Sequence, residues 1–295
     1  MPDILANAEA PPRNRFSAVP RNADFTIDQD WSSYSAAEHE RWDRLFARSR
    51  VVLEDRACAE FLEMASVLKL SDSGIPDMRR LSDRLEGITG WRVVPVAGLV
   101  PDEVFFDHLA NRRFPAGAFI RSEKEMDYLE EPDVFHDVFG HVPMLMHPIL
   151  ADFVQAYGKG GLRAQRLGVL DRLSRVYWFT VEFGLVLQDG APRIYGAGIV
   201  SSLAETKFAL DDPSPNRLRF DLLRVMRTRY RIDDFQETYF VLDTLDDLLH
   251  LDEIDFAPLY DRAKALLELE PGGVLREDRV LWRGSGAYHA KTRSA

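Results

Sequence analysis

Apolar side chains recur along most of the chain about every three to four residues, which is the spacing of an amphipathic helix. Ser35 and Glu38 form a predicted capping box, because a serine followed three residues later by a glutamate can satisfy the first free backbone donors of a helix. The helix that they open should run to about Val52. The same periodicity, with the positions of proline and glycine, predicts further helices over residues 56–68, 76–87, 101–110, 149–157, 172–187, 220–227, 244–256 and 258–270.

Extended segments are few and short in this pattern. Residues 91–96 are rich in valine and predict a strand, as do residues 114–121, 193–195 and 238–242. The glycines within residues 158–161 predict a turn that ends a helix. Because strands and helices do not alternate regularly, a doubly wound parallel sheet is not expected. The pattern predicts a mainly α fold with a few short β-strands, in a single compact domain.

The ends of the chain lack the periodicity of its body. The sequence predicts a flexible N-terminal tail over residues 1–24, a folded domain over residues 25–285 and a C-terminal tail over residues 286–295. The first tail has no apolar core of signal-peptide length, and no uncharged apolar run is long enough to span a bilayer. The single cysteine, Cys58, excludes an intrachain disulfide and fits a reducing compartment. These features predict a cytoplasmic protein.

The composition narrows the classes of partner. The 295 residues carry a net charge of −11, which argues against a nucleic-acid surface and against attraction to anionic membranes. Apolar residues make up 46% of the chain, which is enough for a full core without disulfides. The sequence therefore predicts an ordinary globular protein that binds neither nucleic acid nor membrane.

Two histidines mark the first candidate site. His136 and His141 lie five residues apart, with Gly140 and Pro143 beside the second one. On a straight α-helix, side chains at this spacing diverge by roughly 140°, so binding one metal ion requires a backbone that departs from a regular helix. Gly140 tolerates unusual dihedral angles and Pro143 interrupts a regular helix, so both suit such a departure. On spacing alone, two unrelated histidines, one in a helix and one in a turn, explain the pattern better.

Glu182 is the second candidate. It lies in residues 177–185, YWFTVEFGL, where aromatic and aliphatic neighbours leave little room for a polar face. Burying a carboxylate is costly unless it is paired or bound to a metal. Glu182 is therefore either a metal ligand or a surface residue of an amphipathic helix. A third stretch, residues 194–202, adds two glycines that allow close backbone approach and two serine hydroxyls.

Three stretches in this order, FHDVFGHVP, YWFTVEFGL and YGAGIVSS, resemble the pterin-dependent aromatic amino acid hydroxylases. The resemblance runs from about Trp91 to about Asp243, and more faintly back to Trp31. Within the family, the short bacterial phenylalanine-hydroxylating members are the most similar. The resemblance implies the helical catalytic domain of that family and a monooxygenase that converts L-phenylalanine to L-tyrosine with O₂. Hydroxylation of tryptophan or tyrosine, or at another ring position, stays open because the members share these motifs.

The resemblance also implies which residues bind the metal and the amino acid. His136, His141 and Glu182 match the three iron ligands, and Arg121 matches the residue that grips the amino acid carboxylate. The other positions that match the amino acid pocket are Tyr128, Leu129, Pro132, Trp178, Phe183, Gly198 and Ser201.

Further matches concern the chemistry and the pterin. Tyr177 matches a tyrosine near the iron, and Ser201 is placed to hydrogen-bond the first iron ligand, so these two are the candidate catalytic residues. The positions that match the pterin site are Gly98, Leu99 and Phe105, with the last stacking on the pterin ring. Leu129 and Asp137 depart from the animal members, which have threonine and glutamate there.

The predicted ligand set limits the classes of chemistry that the protein can carry out. Two imidazoles and one carboxylate form the pattern of non-haem Fe(II) oxygenases, although zinc accepts the same ligands. The implied cofactors are Fe(II) and a tetrahydropterin, either tetrahydrobiopterin or a bacterial analogue. A zinc-dependent hydrolase is the alternative enzyme. A helical binding protein with an inactive site is the alternative outside the enzymes, and the intact set of three ligand positions disfavours it. With no separate regulatory domain or long heptad tail visible, we expect a monomer or weak dimer.

Overall fold

A computed structural model of the protein describes residues 15–70, 72, 74–127, 131–252 and 255–292. Within these residues, thirteen segments are α-helices: α1 (Ala36–Leu53), α2 (Ala59–Val67), α3 (Met78–Thr89), α4 (Asp102–Ala110), α5 (Val142–Leu145), α6 (Pro148–Arg166), α7 (Leu170–Tyr177), α8 (Ala197–Val200), α9 (Leu203–Asp211), α10 (Leu222–Arg227), α11 (Asp247–Asp252), α12 (Phe256–Ala265) and α13 (Ala287–Thr292). None of these helices is both long and apolar enough to cross a membrane.

Shorter elements complete the described chain. The strands are β1 (Arg92–Val96), β2 (Arg113–Gly117), β3 (Leu185–Gln188), β4 (Ala191–Ile194), β5 (Asn216–Arg219), β6 (Thr238–Leu242) and β7 (Val280–Trp282). Short 3₁₀-helices lie at Arg15–Ala18, Trp31–Ser33 and Glu123–Glu125. Two segments are π-helices, the first π-helix at Phe135–His141 and the second π-helix at Trp178–Glu182. The prediction of a mainly α fold with a few short strands is confirmed.

The strands form two small sheets. β1 and β2 pair in parallel, and the second sheet has the strand order β4-β3-β6-β5-β7. In the second sheet the β3–β6 and β5–β6 pairs are parallel, whereas the outer pairs, β3–β4 and β5–β7, are antiparallel. Within the described residues, this mixed sheet of strands three to five residues long is not the parallel sheet of a doubly wound fold, as predicted.

An aromatic cluster anchors the first π-helix to α1. The ring of Trp42 lies edge-on to Phe135 at 5.2 Å between centroids, and Phe46 meets Phe139 in the same way at 5.6 Å. Phe135 and Phe139 stack on each other at 4.7 Å. Each buried ring of this kind contributes at most about 4–6 kcal/mol through the apolar area that it removes from water. The segment that carries both histidines is therefore fixed from the side of the core.

Some element bounds differ from the prediction. The capping box at Ser35 is present and opens α1 as predicted. Gly87, however, lies inside α3, and the left-handed residue that ends this helix is Gly90, with φ of 73°. The predicted helix over residues 172–187 is divided into α7, the second π-helix and the start of β3. The predicted strand over residues 114–121 ends at Gly117.

The glycines predicted to form a turn instead lie within the long helix α6. A Cβ atom at Gly158 would lie 2.4 Å from the backbone N of Ala110, and one at Gly161 would lie 2.1 Å from Cδ1 of Phe106. Both contacted residues belong to α4. The turn prediction was wrong because these glycines allow two helices to touch, a requirement that only the tertiary packing imposes.

Both described ends of the chain pack against the domain. Phe16, within the predicted N-terminal tail, is buried, and its ring lies 5.7 Å from that of Tyr34. His289, within the predicted C-terminal tail, is buried in α13 at 6.1 Å from the ring of Phe208. The domain limits at residues 25 and 285 stay predictions, since residues 1–14 and 293–295 lie outside the described chain.

Candidate active site

The first π-helix explains how two histidines five residues apart meet. In a π-helix the backbone hydrogen bonds join residues five apart, so side chains at that spacing return to the same side. The sequence predicted a departure from a regular α-helix, and the π-helix is that departure. Gly140 does not contribute through an unusual backbone conformation, as was predicted, because its φ is not in the left-handed range. A Cβ atom there would lie 3.0 Å from the carbonyl oxygen of Ala197, so Gly140 allows the first π-helix to touch α8.

Glu182 ends the second π-helix and completes a compact set of donors. Its Oε1 lies 3.3 Å from Nε2 of His141, and its Oε2 lies 3.7 Å from Nε2 of His136. The two Nε2 atoms are 3.3 Å apart, and all the candidate ligand atoms lie within 4.8 Å of one another. The side chain of Glu182 is only 15% exposed, so it is not the surface residue that the sequence left open.

Ser201 fixes the tautomer of His136. Its Oγ lies 2.9 Å from Nδ1 of His136 and 2.7 Å from the carbonyl oxygen of Ala197. A carbonyl can only accept, so the single hydroxyl proton is donated to Ala197, and Nδ1 of His136 donates to Ser201. The Nε2 atom of His136 then carries a free lone pair directed at the other two candidate ligands. The hydrogen bond predicted between Ser201 and His136 is present, and it prepares Nε2 to bind a cation.

Burial and mutual charge set the protonation of the three side chains. Burial lowers the pKa of His136 to about 4, so this imidazole is neutral near neutral pH. Burial alone would raise the pKa of Glu182, but His141, His136 and the backbone N–H of Gly198 hold it below its ordinary value. At His141 burial is outweighed by the Glu182 carboxylate, which raises the pKa of the imidazole. A bound cation competes for the same oxygen and nitrogen atoms, and neutral imidazole with ionised carboxylate is the form that it binds.

Arg121 lies next to the first π-helix and is already paired there. Its Nε and Nη2 donate to the two carboxylate oxygens of Asp133 at 2.9 and 2.8 Å, and its backbone N–H donates to the same carboxylate at 2.8 Å. Asp133 also accepts the backbone N–H of His136 at 3.0 Å. Burial would raise the pKa of Asp133, but the Arg121 guanidinium keeps it low, so the pair is ionic.

Asp133 was not among the site residues predicted from the sequence. The available signal was its position, three residues before His136, together with the rule that a buried arginine needs an acidic partner. Because Asp133 occupies Nε and Nη2, the guanidinium edge that includes Nη1 is the one left to face a ligand carboxylate.

A stack of three aromatic rings stands at the start of the second π-helix. Trp178 lies between Tyr230, at 4.2 Å between ring centroids, and Phe183, at 4.7 Å. Gly198 fits against this stack because a Cβ atom there would lie 2.9 Å from Cζ of Phe183. The structure therefore brings three of the predicted pocket positions together. Tyr230 is an addition, and its local sequence carries no signal that would have linked it to Trp178.

Tyr177 and Phe105 extend the site from His141. The ring of Tyr177 stacks beside the His141 imidazole at 6.3 Å with an interplanar angle of 24°. Phe105, on α4, meets Tyr177 edge-on at 6.1 Å. Burial raises the pKa of Tyr177 well above its ordinary value, so its hydroxyl stays protonated. A candidate pterin residue is thus separated from a candidate metal ligand by one aromatic ring.

The remaining predicted positions are less informative. Pro132 is half-buried and directly precedes Asp133. Gly98 lies against Glu131, since a Cβ atom would be 2.8 Å from Oε1, and Leu99 is 59% exposed. Tyr128 and Leu129 lie outside the described residues.

The donor set fits a non-haem iron centre. Two imidazole nitrogens and one carboxylate oxygen converge without a thiolate, which is the pattern that leaves open positions on Fe(II) for O₂ and substrate. The buried Arg121 and the aromatic rings of Tyr177, Trp178 and Phe183 lie in or next to the segments that carry these ligands, which suits an amino acid with an aromatic side chain.

Comparisons with known proteins agree with this geometry. Residues 21–259 match the biopterin-dependent aromatic amino acid hydroxylase family. The chain is 57% identical over 265 residues to the phenylalanine-4-hydroxylase of Caulobacter vibrioides, and 90% of each chain is covered. It is 53% identical over 269 residues to that of Ralstonia nicotianae, covering 91% of this chain and 86% of the relative. The iron- and phenylalanine-bound crystal structure of phenylalanine hydroxylase from Chromobacterium violaceum superposes with a TM-score of 0.85 at 48% identity, over 90% of this chain and 97% of that one.

Proposed function

The chain belongs to the biopterin-dependent aromatic amino acid hydroxylase family, and we propose from this premise that it hydroxylates L-phenylalanine to L-tyrosine. One oxygen atom of O₂ would enter the substrate ring, and a bound tetrahydropterin would supply the two electrons that reduction of the other atom requires. The observation that carries the proposal is the convergence of the candidate ligand atoms of His136, His141 and Glu182 within 4.8 Å.

Fe(II) and a tetrahydropterin supply the O₂-activating chemistry when they are bound. His136, His141 and Glu182 would hold the iron, because their Nε2 atoms and carboxylate oxygens lie within 3.3–3.7 Å of one another. Ser201 maintains the metal-binding tautomer of His136 through its 2.9 Å hydrogen bond. By sequence resemblance, Gly98, Leu99 and Phe105 would lie at the pterin, for which we propose tetrahydrobiopterin or a bacterial analogue. Phe105 supports this placement, because it offers an aromatic ring 6.1 Å from that of Tyr177.

Arg121 would bind the carboxylate of the amino acid. The Asp133 carboxylate holds the guanidinium in one orientation through two parallel hydrogen bonds, so the free edge is presented without further reorganisation. This preorganisation would keep the amino acid backbone at a set distance from the metal ligands.

Trp178, Phe183 and Gly198 would enclose the substrate ring together with Pro132. Tyr128 and Leu129 belong to the same proposal through the sequence resemblance alone. Aromatic walls of this kind exclude water and orient a flat ring by its faces and edges. Positioning and water exclusion are the contributions that the chain itself makes to the reaction, while the cofactors provide the redox chemistry. For the whole protein, we propose a cytoplasmic monomer or weak dimer.

The test is reconstitution of metal-stripped protein. Fe(II) with tetrahydropterin should restore tyrosine formation from phenylalanine, with tetrahydropterin consumed in step, whereas Zn(II) should bind the same ligands and restore neither. Tyrosine formation that returns with zinc and not with iron would contradict the proposal. Tryptophan and tyrosine as substrates, with product position determined by mass spectrometry and NMR, test the preference for phenylalanine.

A further inference from the structure

Gln236 lies behind the aromatic stack and contacts the indole of Trp178 directly. Its side chain is 2% exposed, and its Oε1 accepts the Nε1–H of Trp178 at 3.0 Å. Gln236 is 58 residues from Trp178 in sequence and lies two residues before the start of β6. It is outside all three of the motifs. It is therefore a buried polar group that the proposed reaction has not yet used.

The orientation of the Gln236 amide is fully determined by its neighbours. Its Nε2 donates to the carbonyl oxygen of Arg231 at 2.7 Å, so Oε1 must be the atom that faces Trp178. The same Oε1 accepts the backbone N–H of Arg231 at 3.3 Å. The backbone N–H of Gln236 donates to Oε1 of Glu205 at 3.3 Å, which fixes the main chain as well. An amide with both its oxygen and its nitrogen engaged cannot flip without losing several hydrogen bonds.

The Gln236 amide restricts movement of the Trp178 indole within its own plane, which the aromatic stack leaves free. Tyr230 and Phe183 lie nearly parallel to the indole, with interplanar angles of 17° and 30°. Parallel stacking resists movement perpendicular to the ring planes, but it permits sliding and rotation within them. A hydrogen bond at the ring edge opposes that in-plane movement, so the stack and the amide together define a single position.

We propose that Gln236 is a positioning residue for amino acid recognition, which sets the place of the Trp178 indole and thereby the shape of the ring pocket. The inference rests on the proposed function, in which Trp178 forms one wall of that pocket. Gln236 acts through Trp178 and does not itself touch substrate, pterin or metal. It should therefore influence amino acid binding and the choice among aromatic rings, and leave the pterin site unaffected.

The experiment is a double-mutant cycle between Gln236 and Trp178 in the iron-loaded, full-length protein. Gln236→Met keeps the length of the side chain and removes the acceptor, so we expect the KM for phenylalanine to rise about fivefold to twentyfold. The preference for phenylalanine over tryptophan, measured as a ratio of kcat/KM, should change, while the KM for the tetrahydropterin should stay within about twofold of wild type. Trp178→Phe removes the donor. In that background Gln236→Met should have little further effect on either amino acid parameter, because the two residues act as one unit.

Two further variants separate positioning from stability. Gln236→Asn keeps a buried amide but withdraws it from the indole by one methylene, and it should shift the same parameters in the same direction. Asn216→Leu removes another buried amide, one that bonds Gly272 and Gly284 instead of Trp178. It should lower the melting temperature without changing the amino acid preference.

The outcomes distinguish this inference from the function on which it rests. If Gln236→Met raises the phenylalanine KM equally in the wild-type and Trp178→Phe backgrounds, or raises the pterin KM to the same degree, Gln236 does not act through the indole. If both Gln236 variants match wild type in KM and preference, the positioning role is wrong while the hydroxylase function stands. If Trp178→Phe itself leaves phenylalanine binding and preference unchanged, the placement of Trp178 in the pocket fails, and the inference fails with it.

Discussion

Replacing Arg121 by alanine separates two contributions of one side chain, to substrate binding and to folding. Arg121 is 6% exposed, and its partner Asp133 is fully buried, with two side-chain hydrogen bonds between them. Removing one member of a buried pair typically destabilises a protein by about 3–5 kcal/mol, because the other charge is left without compensation. In the variant, the Asp133 carboxylate would still accept hydrogen bonds from the backbone N–H groups of residues 121 and 136, which favours the lower part of that range.

The expected loss is large relative to the stability of a typical domain, about 5–15 kcal/mol. It corresponds to a decrease in melting temperature of roughly 6–10 °C for a chain of this size. Phenylalanine affinity should fall by about 2–5 kcal/mol, or thirtyfold and more, since the carboxylate loses its charged partner. Circular dichroism of the metal-free protein gives the first quantity, and calorimetric titration of the iron-loaded protein with phenylalanine gives the second.

A second buried arginine pair provides the matched control. Arg224 and Asp278 are each about 5% exposed, with Nε and Oδ1 2.9 Å apart, and neither belongs to the candidate site. Arg224→Ala should reproduce the fall in melting temperature and leave phenylalanine affinity unchanged. If folded Arg121→Ala binds phenylalanine as tightly as wild type, or if Arg224→Ala weakens binding as much, the carboxylate role of Arg121 is refuted.

Two further predictions concern buried carboxyl groups. Glu182→Gln keeps the shape of the ligand but removes the charge that offsets Fe(II), so iron affinity and turnover should fall by orders of magnitude. The metal-free protein should become no less stable, because a buried charge is removed. Wild-type iron binding in this variant would place the third ligand elsewhere. Glu205 is buried and accepts the Tyr239 hydroxyl, and burial raises its pKa from 4.5 to about 7. The folded protein then keeps a proton that the unfolded chain releases, so the associated stability is complete below about pH 4.5 and is lost as the pH rises to about 7, by at most about 3 kcal/mol. We therefore expect the free energy of unfolding of Glu205→Gln, relative to that of wild type, to be higher at pH 8 than at pH 5 when both are measured by urea denaturation. An equal difference at both pH values would contradict the assignment.

The sequence was sufficient to predict elements whose formation depends on neighbouring residues alone. The capping box at Ser35 and the strand over residues 91–96 formed where the pattern predicted them. The need for an irregular backbone at His141 also followed from helix geometry. Its form did not, because the choice between a turn and a π-helix depends on what the segment packs against, here the rings of Trp42 and Phe46 and the backbone of α8.

Partners distant in sequence could not be predicted. The glycines of α6 signalled a turn, since the approach of α4 that requires them is invisible in the local pattern. Arg121 suggested a carboxylate clamp, but nothing in one sequence pairs it with Asp133. Gln236 lies in a polar segment of ordinary composition, and only the fold brings its amide to Trp178. In each case a long-range contact gave a role to a residue whose neighbours in sequence are unremarkable.

The third motif, YGAGIVSS, acquires its meaning from the two π-helices. α8 lies between them and contacts both. Gly196 and Gly198 allow it to approach the second π-helix, since Cβ atoms there would lie 2.4 and 3.2 Å from the carbonyl oxygen of Glu182. On the other side Ala197 meets Gly140, and the carbonyl of Ala197 orients Ser201 toward His136. The small residues of this motif therefore hold the two ligand-bearing segments at one distance. A methyl group at Gly196, the residue before α8, would force the backbone at Glu182 to shift, although glycine cannot itself bind a metal.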